Sequence, residues 1–458
     1  MATSKAVVSR LELVRTTRRT GKKSSESTPN FLGRLPSEIL IKILSYLDAS
    51  ALFSISHINK LFDKLANDNI LWQKIYTAEF GKHKKRRPEC IDELLLKMED
   101  GAEISWKWLY FNTRAACDMY KWNKHLEQIS SHTGLPRQTE RVLRNLNLTW
   151  ELTVTDKSGQ ENTLELSCSH FFDASVTLCW SAGVYMPDYQ QISTLQIHGV
   201  RRIALKCPGI KIPGWRSLMA TLDMQALTKS AQVIGEDRLV QLKLLQCGVI
   251  IGVWRDQCSV AFVMVTLHFH RLVERSTQGS SVCPYVEPTV KPPPDDIDPE
   301  YGLHGYQLHI TLHNTVCELM SERLSQLYCC RDNISDGLVR LTTLSGNKLG
   351  HIRLSGHITL PWRCEALQGT VKNCCIMSLT LLDEFGKPFK CLSSPVSMAP
   401  ETTPVCYDYD GENYVIHYKE PDIQVKMRLV WMKEHFAPIS LAVHVSVSSV
   451  NEHFTRYY

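Results

Sequence analysis

Near residue 140 the spacing of apolar side chains along this chain changes from 3.6 residues to 2. The beginning of the chain must therefore be helical and the remainder sheet-forming. Downstream, Trp150, Leu152 and Val154 alternate with Glu151 and Thr153, and Ile423, Val425, Met427, Leu429 and Trp431 alternate with Gln424, Lys426 and Arg428. Ile439, Leu441, Val443, Val445 and Val447 alternate in the same way with Ser440, His444, Ser446 and Ser448. One apolar face in each predicts half-buried antiparallel strands. Turn signals at Asp156 to Gly159, Ser345 to Asn347, Glu384 to Gly386 and Asp410 to Gly411 separate strand-like runs. Between Cys283 and Gly305, six prolines stand beside Asp295, Asp296 and Asp298, a composition that cannot hold a central strand and predicts a long loop or linker. The expectation is an α+β multidomain chain. Residues 140–458 form a large antiparallel β-rich region of sandwich or barrel type, either one unit or two halves parted near residue 290. No fixed-period repeat of the propeller or leucine-rich kind is visible.

Before that change, Leu35 and Pro36 are followed by Glu38, by Ile39, Ile43, Leu44 and Leu47 at helical spacing, and by Tyr46-Leu47-Asp48. Pro36 suits a first helical position, where an N–H has no intrahelical use, and Glu38 favours the first turn. Asp48 suits the cap of a second helical run, in which Leu52, Ile55, Ile58, Phe62 and Leu65 mark one broad stripe. Asp68 or Asn69 suits the cap of a third, carrying Leu71, Trp72, Ile75 and Tyr76. Three helices in so short a stretch are too few to close a core unaided, which calls either for a partner or for a larger helical domain of which they are the first layer.

In that order and spacing, Leu35-Pro36, Glu38, Tyr46-Leu47-Asp48, Phe62, Asp68 and Leu71-Trp72 resemble an F-box, with Phe62 where tryptophan is commoner and Asn69 where proline is commoner. Ser105 to Tyr110 is similar to the tryptophan-containing helix that often follows an F-box. The resemblance implies a substrate receptor of an SCF-type cullin-RING ubiquitin ligase. Its F-box would dock on a Skp-family adaptor, and through it on a cullin and a RING-box subunit, while the other region holds a protein client of unknown identity. By carry-over from the family pattern, the adaptor-binding residues are Leu35, Pro36, Ile39, Ile43, Leu47, Leu52, Leu71 and Trp72. A receptor of this kind is not itself a catalyst. The alternative is a non-degradative scaffold that holds the adaptor for localisation or assembly.

The layout expected is a disordered basic tail over 1–30, the F-box over 31–80, a helical linker over 81–139 and the client-binding β region over 140–458. The tail carries Arg10, Arg15, Arg18, Arg19, Lys22 and Lys23 among serines and threonines, with only Glu12 and Glu26 as acids, and its poverty in acids also suits a transit peptide. Lys82 to Arg87 is a basic run that reads as a solvated loop, or as a nuclear import signal or polyanion patch. A net charge of +5 over 458 residues argues against a dedicated nucleic-acid binder. Sixteen cysteines without a CxxC pair and without an apolar signal sequence point to a reducing compartment, cytoplasmic or nuclear. The most apolar region, Cys247 to Phe269, is broken by Arg255, Asp256 and Gln257, leaving runs too short for a membrane span.

No cofactor or metal is expected. His309 and His313 share a strand face but stand about 13 Å apart, too far to share one ion, and His268 and His270 lack a spaced third ligand. In the vicinal pairs Cys329-Cys330 and Cys374-Cys375, one thiol is expected to be buried and the other exposed. No phosphate-binding loop, GxSxG or HExxH occurs. Trp180, Trp215, Trp254, Trp362 and Trp431 form a pool of aromatics that are either core or loop-borne contacts for a partner.

Overall fold

Three short polar side chains cut the N-terminal stretch into helices. Asp48 accepts a hydrogen bond from the Ala51 amide at 2.8 Å, Asn59 from the Phe62 amide at 2.9 Å, and Asp68 from the amides of Ile70 and Leu71 at 2.9 and 3.3 Å. Each bond satisfies a donor that a helix start would otherwise leave orphaned. The computed structural model describes residues 35–56, 58–81, 105–181, 186–202, 213–257, 259–279, 285, 305–329, 334–343, 354, 357–401 and 411–454. It divides into two compact units, residues 1–82 and 83–458.

The first unit holds α1 (Ser37–Leu44), α2 (Ala49–Ser56), α3 (Lys60–Ala66) and α4 (Asn69–Phe80). The second helical run expected from the sequence is thus two helices, because the extended backbone and capping side chain of Asn59 interrupt it. Ile58 is consequently exposed and Phe62 only half-buried, although both lie on the apolar stripe. Leu40, Leu44, Leu52, Leu65, Leu71, Trp72 and Tyr76 are buried. The Trp72 indole donates to the Ala66 carbonyl at 2.8 Å, so its one polar atom is satisfied inside.

The second unit opens with α5 (Trp106–Leu126) and α6 (Thr139–Asn145). Ten strands follow: β1 (Leu148–Asp156), β2 (Glu161–Glu165), β3 (Cys168–Phe171), β4 (Ser175–Trp180), β5 (Ile192–Arg202), β6 (Pro213–Asp223), β7 (Gln232–Glu236), β8 (Val240–Gln246), β9 (Val249–Trp254) and β10 (Val260–His268). Helices α7 (Met224–Ser230) and α8 (Leu272–Gln278) are set among and after them. Next come β11 (Tyr306–His313), β12 (Glu318–Tyr328), β13 (Ile334–Ser335), β14 (Leu338–Thr343), β15 (Thr359–Cys364), β16 (Leu367–Lys372), β17 (Cys374–Leu382), β18 (Pro388–Pro400), β19 (Glu412–Lys419), β20 (Ile423–Trp431) and β21 (Phe436–Ser446), then α9 (Val447–Phe454).

Every ladder among these strands is antiparallel. A four-stranded sheet β2-β1-β5-β6 and a six-stranded sheet β3-β4-β10-β9-β8-β7 share one core, in which Trp150, Leu152, Val176, Leu178, Ile197 and Val263 meet. A nine-stranded sheet, β12-β11-β17-β18-β19-β20-β21-β14-β13, curls until Leu327 and Tyr328 of β12 pair with Thr343 and Thr342 of β14. It encloses a second core, with Leu308, Ile310, Met377, Leu379, Val425 and Leu429. A third cluster joins the halves: Phe262 and Met264 of β10 pack with Cys374 and Ile376 of β17 and with Leu360 and Trp362 of β15. Residues on both sides of position 290 therefore belong to one unit.

The α+β architecture and the large antiparallel β-rich region read from the sequence are what the structure shows. Burial along β1 and β20 follows the expected alternation at Trp150, Leu152 and Val154 and at Ile423, Val425, Met427 and Leu429, but Thr153 is buried too and Trp431 is half-buried beside a buried Val430. At β21 it does not: Val443 and Val445 are buried, Ile439 and Leu441 are half-buried, and Val447 starts α9. Cys374 and Cys375 are both buried, contrary to the expected division, because the two faces of β17 are covered by different clusters. The basic tail, the 82–87 run, the 91–98 helix, Cys330 and, apart from Tyr285 and Gly305, the proline-rich stretch lie outside the described residues.

Candidate docking surface

Helix α1 is apolar on two sides. Leu40 and Leu44, four residues apart, are buried, while Ile39 and Ile43, also four apart, face outward, flanked by the exposed Leu35 before the helix and Tyr46 after it. Those last four are between 38% and 78% exposed. The backbone sets this orientation. Pro36 is extended and stands just before the helix, where its carbonyl accepts from the amides of Ile39 and Leu40 at 3.1 and 3.2 Å. Leu35, on the far side of that extended residue, is exposed as well. Glu38 lies in the first turn and Lys42 in the last, each matched to the sign of the helix end. Beyond α1, Ile58, Leu61 and Ile70 are also exposed. Lys74 of α4 places its Nζ 5.8 Å from the centre of the Tyr46 ring, which sets a cation beside it.

So many large exposed apolar side chains on one small unit mark an interaction surface. Of the residues carried over for adaptor binding, Leu35, Pro36, Ile39 and Ile43 are exposed and Leu47 is half-buried. Leu52, Leu71 and Trp72 are buried, with relative exposures of 0%, 2% and 1%, so in this structure they support the surface rather than form it. Tyr46, Ile58, Leu61 and Ile70 were not singled out from the sequence as surface contacts. Tyr46 was readable, because it follows Ile43 by three residues, at helical spacing. Ile58 was not, because its exposure depends on the interruption at Asn59.

Three histidines of the β region, His268, His309 and His313, are buried and hydrogen-bonded to neighbouring strands or turns. His313 is fully buried: its Nε2 is 3.3 Å from the Ser175 hydroxyl and 3.1 Å from the Ser378 hydroxyl, and its Nδ1 is 3.1 Å from the Asn314 carbonyl. Ser378 in turn bonds Ser393 at 2.8 Å. Burial pushes the His313 imidazole down to about 4 and that of His268, 2.9 Å from the Thr380 hydroxyl, down to about 3. These neutral rings fill a polar seam between β4, β10, β11, β17 and β18, closed to solvent. His309 bonds Ser321 at 3.1 Å and does not join His313. Among the described residues, no three His, Cys, Asp or Glu converge as metal ligands, and no helix is long and apolar enough to cross a membrane. Trp180 and Trp362 are core, while Trp254 and Trp431 are half-buried against core clusters.

The F-box-like family matches residues 32–78, the stretch that carries α1 to α4. Over 437 residues, 93% of this chain and 100% of the relative, the sequence is 36% identical to F-box only protein 15 of Macaca fascicularis. It is 35% identical over 441 residues to F-box only protein 15 of Homo sapiens, covering 93% of this chain and 86% of that one. It is 32% identical over 438 residues to the Mus musculus protein of the same name, covering 92% and 100%. A solved structure of MucB in complex with MucA(peri) aligns at 8% identity with a TM-score of 0.11, covering 74% of this chain and 97% of that one; nothing is drawn from it.

Proposed function

This chain belongs to the F-box only protein 15 family, and from that premise we propose that it is the substrate-recognition subunit of an SCF-type ubiquitin ligase. The observation that carries the reading is the exposure of Ile39 and Ile43 on α1 with Leu35 and Tyr46 flanking it, apolar surface that a small helical unit presents rather than hides. A Skp-family adaptor covers that surface and bridges to a cullin and its RING-box subunit. The unit over 83–458 has cores of its own and holds the protein client.

In this scheme the chain has no acid, base or nucleophile to supply. It acts through proximity, raising the effective concentration of a client lysine near the ubiquitin thioester, a gain of several kcal/mol without new chemistry at the receptor. The reading needs no cofactor and no metal, and it places the complex in the cytoplasm, the nucleus or both. The test is calorimetric titration of the purified chain with a Skp-family adaptor. Ile39→Glu with Ile43→Glu sets two carboxylates on the apolar stripe and should weaken binding at least a hundredfold, with the melting temperature within a few degrees of the parent. Binding unchanged by that pair removes the reading.

A further inference from the structure

Strand β3 is the free edge of the six-stranded sheet, and Cys168 opens it directly opposite Cys179 of β4. Residues directly opposed across an antiparallel ladder project to the same face, with Cα atoms about 4.5–5.5 Å apart, inside the range a disulfide spans. The two thiols differ in setting: Cys168 is exposed, whereas Cys179 is buried in the cluster that joins the halves. Cys364 is buried in the same cluster, its thiol 3.0 Å from the Ala261 carbonyl, and Arg363 beside it carries its charge toward Cys168. The electrostatics divide the pair. A hydrogen bond from the Cys179 thiol, then His170 and Arg363, hold Cys168 down to about 6 against the opposing effect of burial, so it is largely thiolate at neutral pH. Cys179 is pushed well up by its bond to Cys168, by burial and by Cys364, and keeps its proton. An accessible thiolate with a protonated thiol opposite is the arrangement of an oxidisable cysteine and its resolving partner.

We propose that Cys168 and Cys179 form a reversible redox modification site, oxidised by a hydroperoxide to an intramolecular disulfide. The Cys168 sulfur attacks the distal peroxide oxygen, the O–O bond breaks, and the alkoxide leaves and takes a proton, which makes Cys168 a sulfenic acid. The Cys179 sulfur then attacks the Cys168 sulfur; an S–S bond forms, the S–O bond breaks, and hydroxide leaves with the Cys179 proton as water. The peroxide accepts two electrons and the pair loses them. A dithiol reductant reverses the step by exchange. The product ties the edge strand to its neighbour and removes a thiolate from the surface of the proposed client-binding unit.

The full-length chain, treated with hydrogen peroxide, capped with iodoacetamide and digested with chymotrypsin, decides this by mass spectrometry, since that protease cuts between the two at Phe171 and Phe172. The expected result is a Cys168–Cys179 linked peptide that dithiothreitol dissolves, with Cys317, exposed on another strand connection, still alkylated. In a Cys179→Ser variant, dimedone should label Cys168, since the sulfenic acid then has no resolving thiol. Absence of the link under oxidation that modifies Cys317, or failure of dimedone to label Cys168 in a Cys179→Ser protein that melts as the parent does, overturns the proposal.

Discussion

Ile39 and Leu40 are adjacent in sequence and opposite in role. Leu40 is 2% exposed and Ile39 47%, so truncating Leu40 to alanine should cost about 2–5 kcal/mol of unfolding free energy, while Ile39→Ala should cost little stability and weaken adaptor binding. Chemical denaturation beside calorimetry separates the two; equal losses of stability would show that the stripe is core. Position alone did not assign Leu52, Leu71 and Trp72. They lie in apolar runs that fit a buried or a docking role equally, and only the packing of α2 to α4 turns them inward. A second residue-scale consequence concerns the buried histidines. His268, His309 and His313 stay neutral when folded, down to about 3, 4 and 4, whereas in the unfolded chain they titrate near 6.5. Below that pH the unfolded chain binds protons that the folded chain refuses, so stability rises with pH across this window and falls as pH drops toward 4. By pH 5 the loss is roughly 2 kcal/mol for a fully buried ring such as His313, before most carboxylates are protonated. Melting temperatures should decline from pH 7 to pH 5, and a flat profile would contradict the neutral seam.

Elements with one wet face were legible and elements with none were not. β1 and β20 alternate because one face of each meets core and the other is less buried, which is what a period of 2 reports. In β4 and β17 every position is buried, and in β10 all but one are. Their two faces meet different clusters, so alternation is lost; Ser175, Thr177, Thr266, Ser378 and Thr380 on the seam look in sequence like the polar side of a solvated strand. The apolar run of Cys247 to Phe269 is explained in the same way by β9 and β10, central strands of their sheet. On β20 the less buried face is not uniform. Arg428 reaches Glu401 at 3.3 Å, with Lys426 at 4.0 Å from the same oxygen. Reversing Arg428 to glutamate should therefore lower stability by about 1 kcal/mol, whereas Gln424→Glu, on the same face, should leave the melting transition in place. Equal effects would mean that the ion pairs contribute nothing specific.

At the scale of the whole molecule the change of period near residue 140 located the β region, but not what completes its core. Leu135 belongs to the first β core and Trp122 and Leu126 of α5 pack against it, while the His132 ring stands 4.6 Å from that of His309. A fragment spanning 105–458 should therefore unfold in one cooperative transition. One beginning at 140 should melt at least several degrees lower, because it lacks these contacts; identical melting of both would reduce the preceding helix to a tether. The family and its proposed ligase role were legible because a few residues of fixed spacing carry them, whereas the client was not, since no short motif in the β region encodes a surface assembled from many strands. The measurement that tests the central claim most directly compares, by affinity purification and mass spectrometry, cells expressing the intact chain with cells expressing residues 83–458. A substrate receptor predicts proteins that remain bound to the truncated chain, rise in abundance and lose their polyubiquitin while the Skp-family adaptor disappears from the complex. Bound proteins whose abundance and ubiquitin are unchanged by the truncation would contradict it and leave a scaffold.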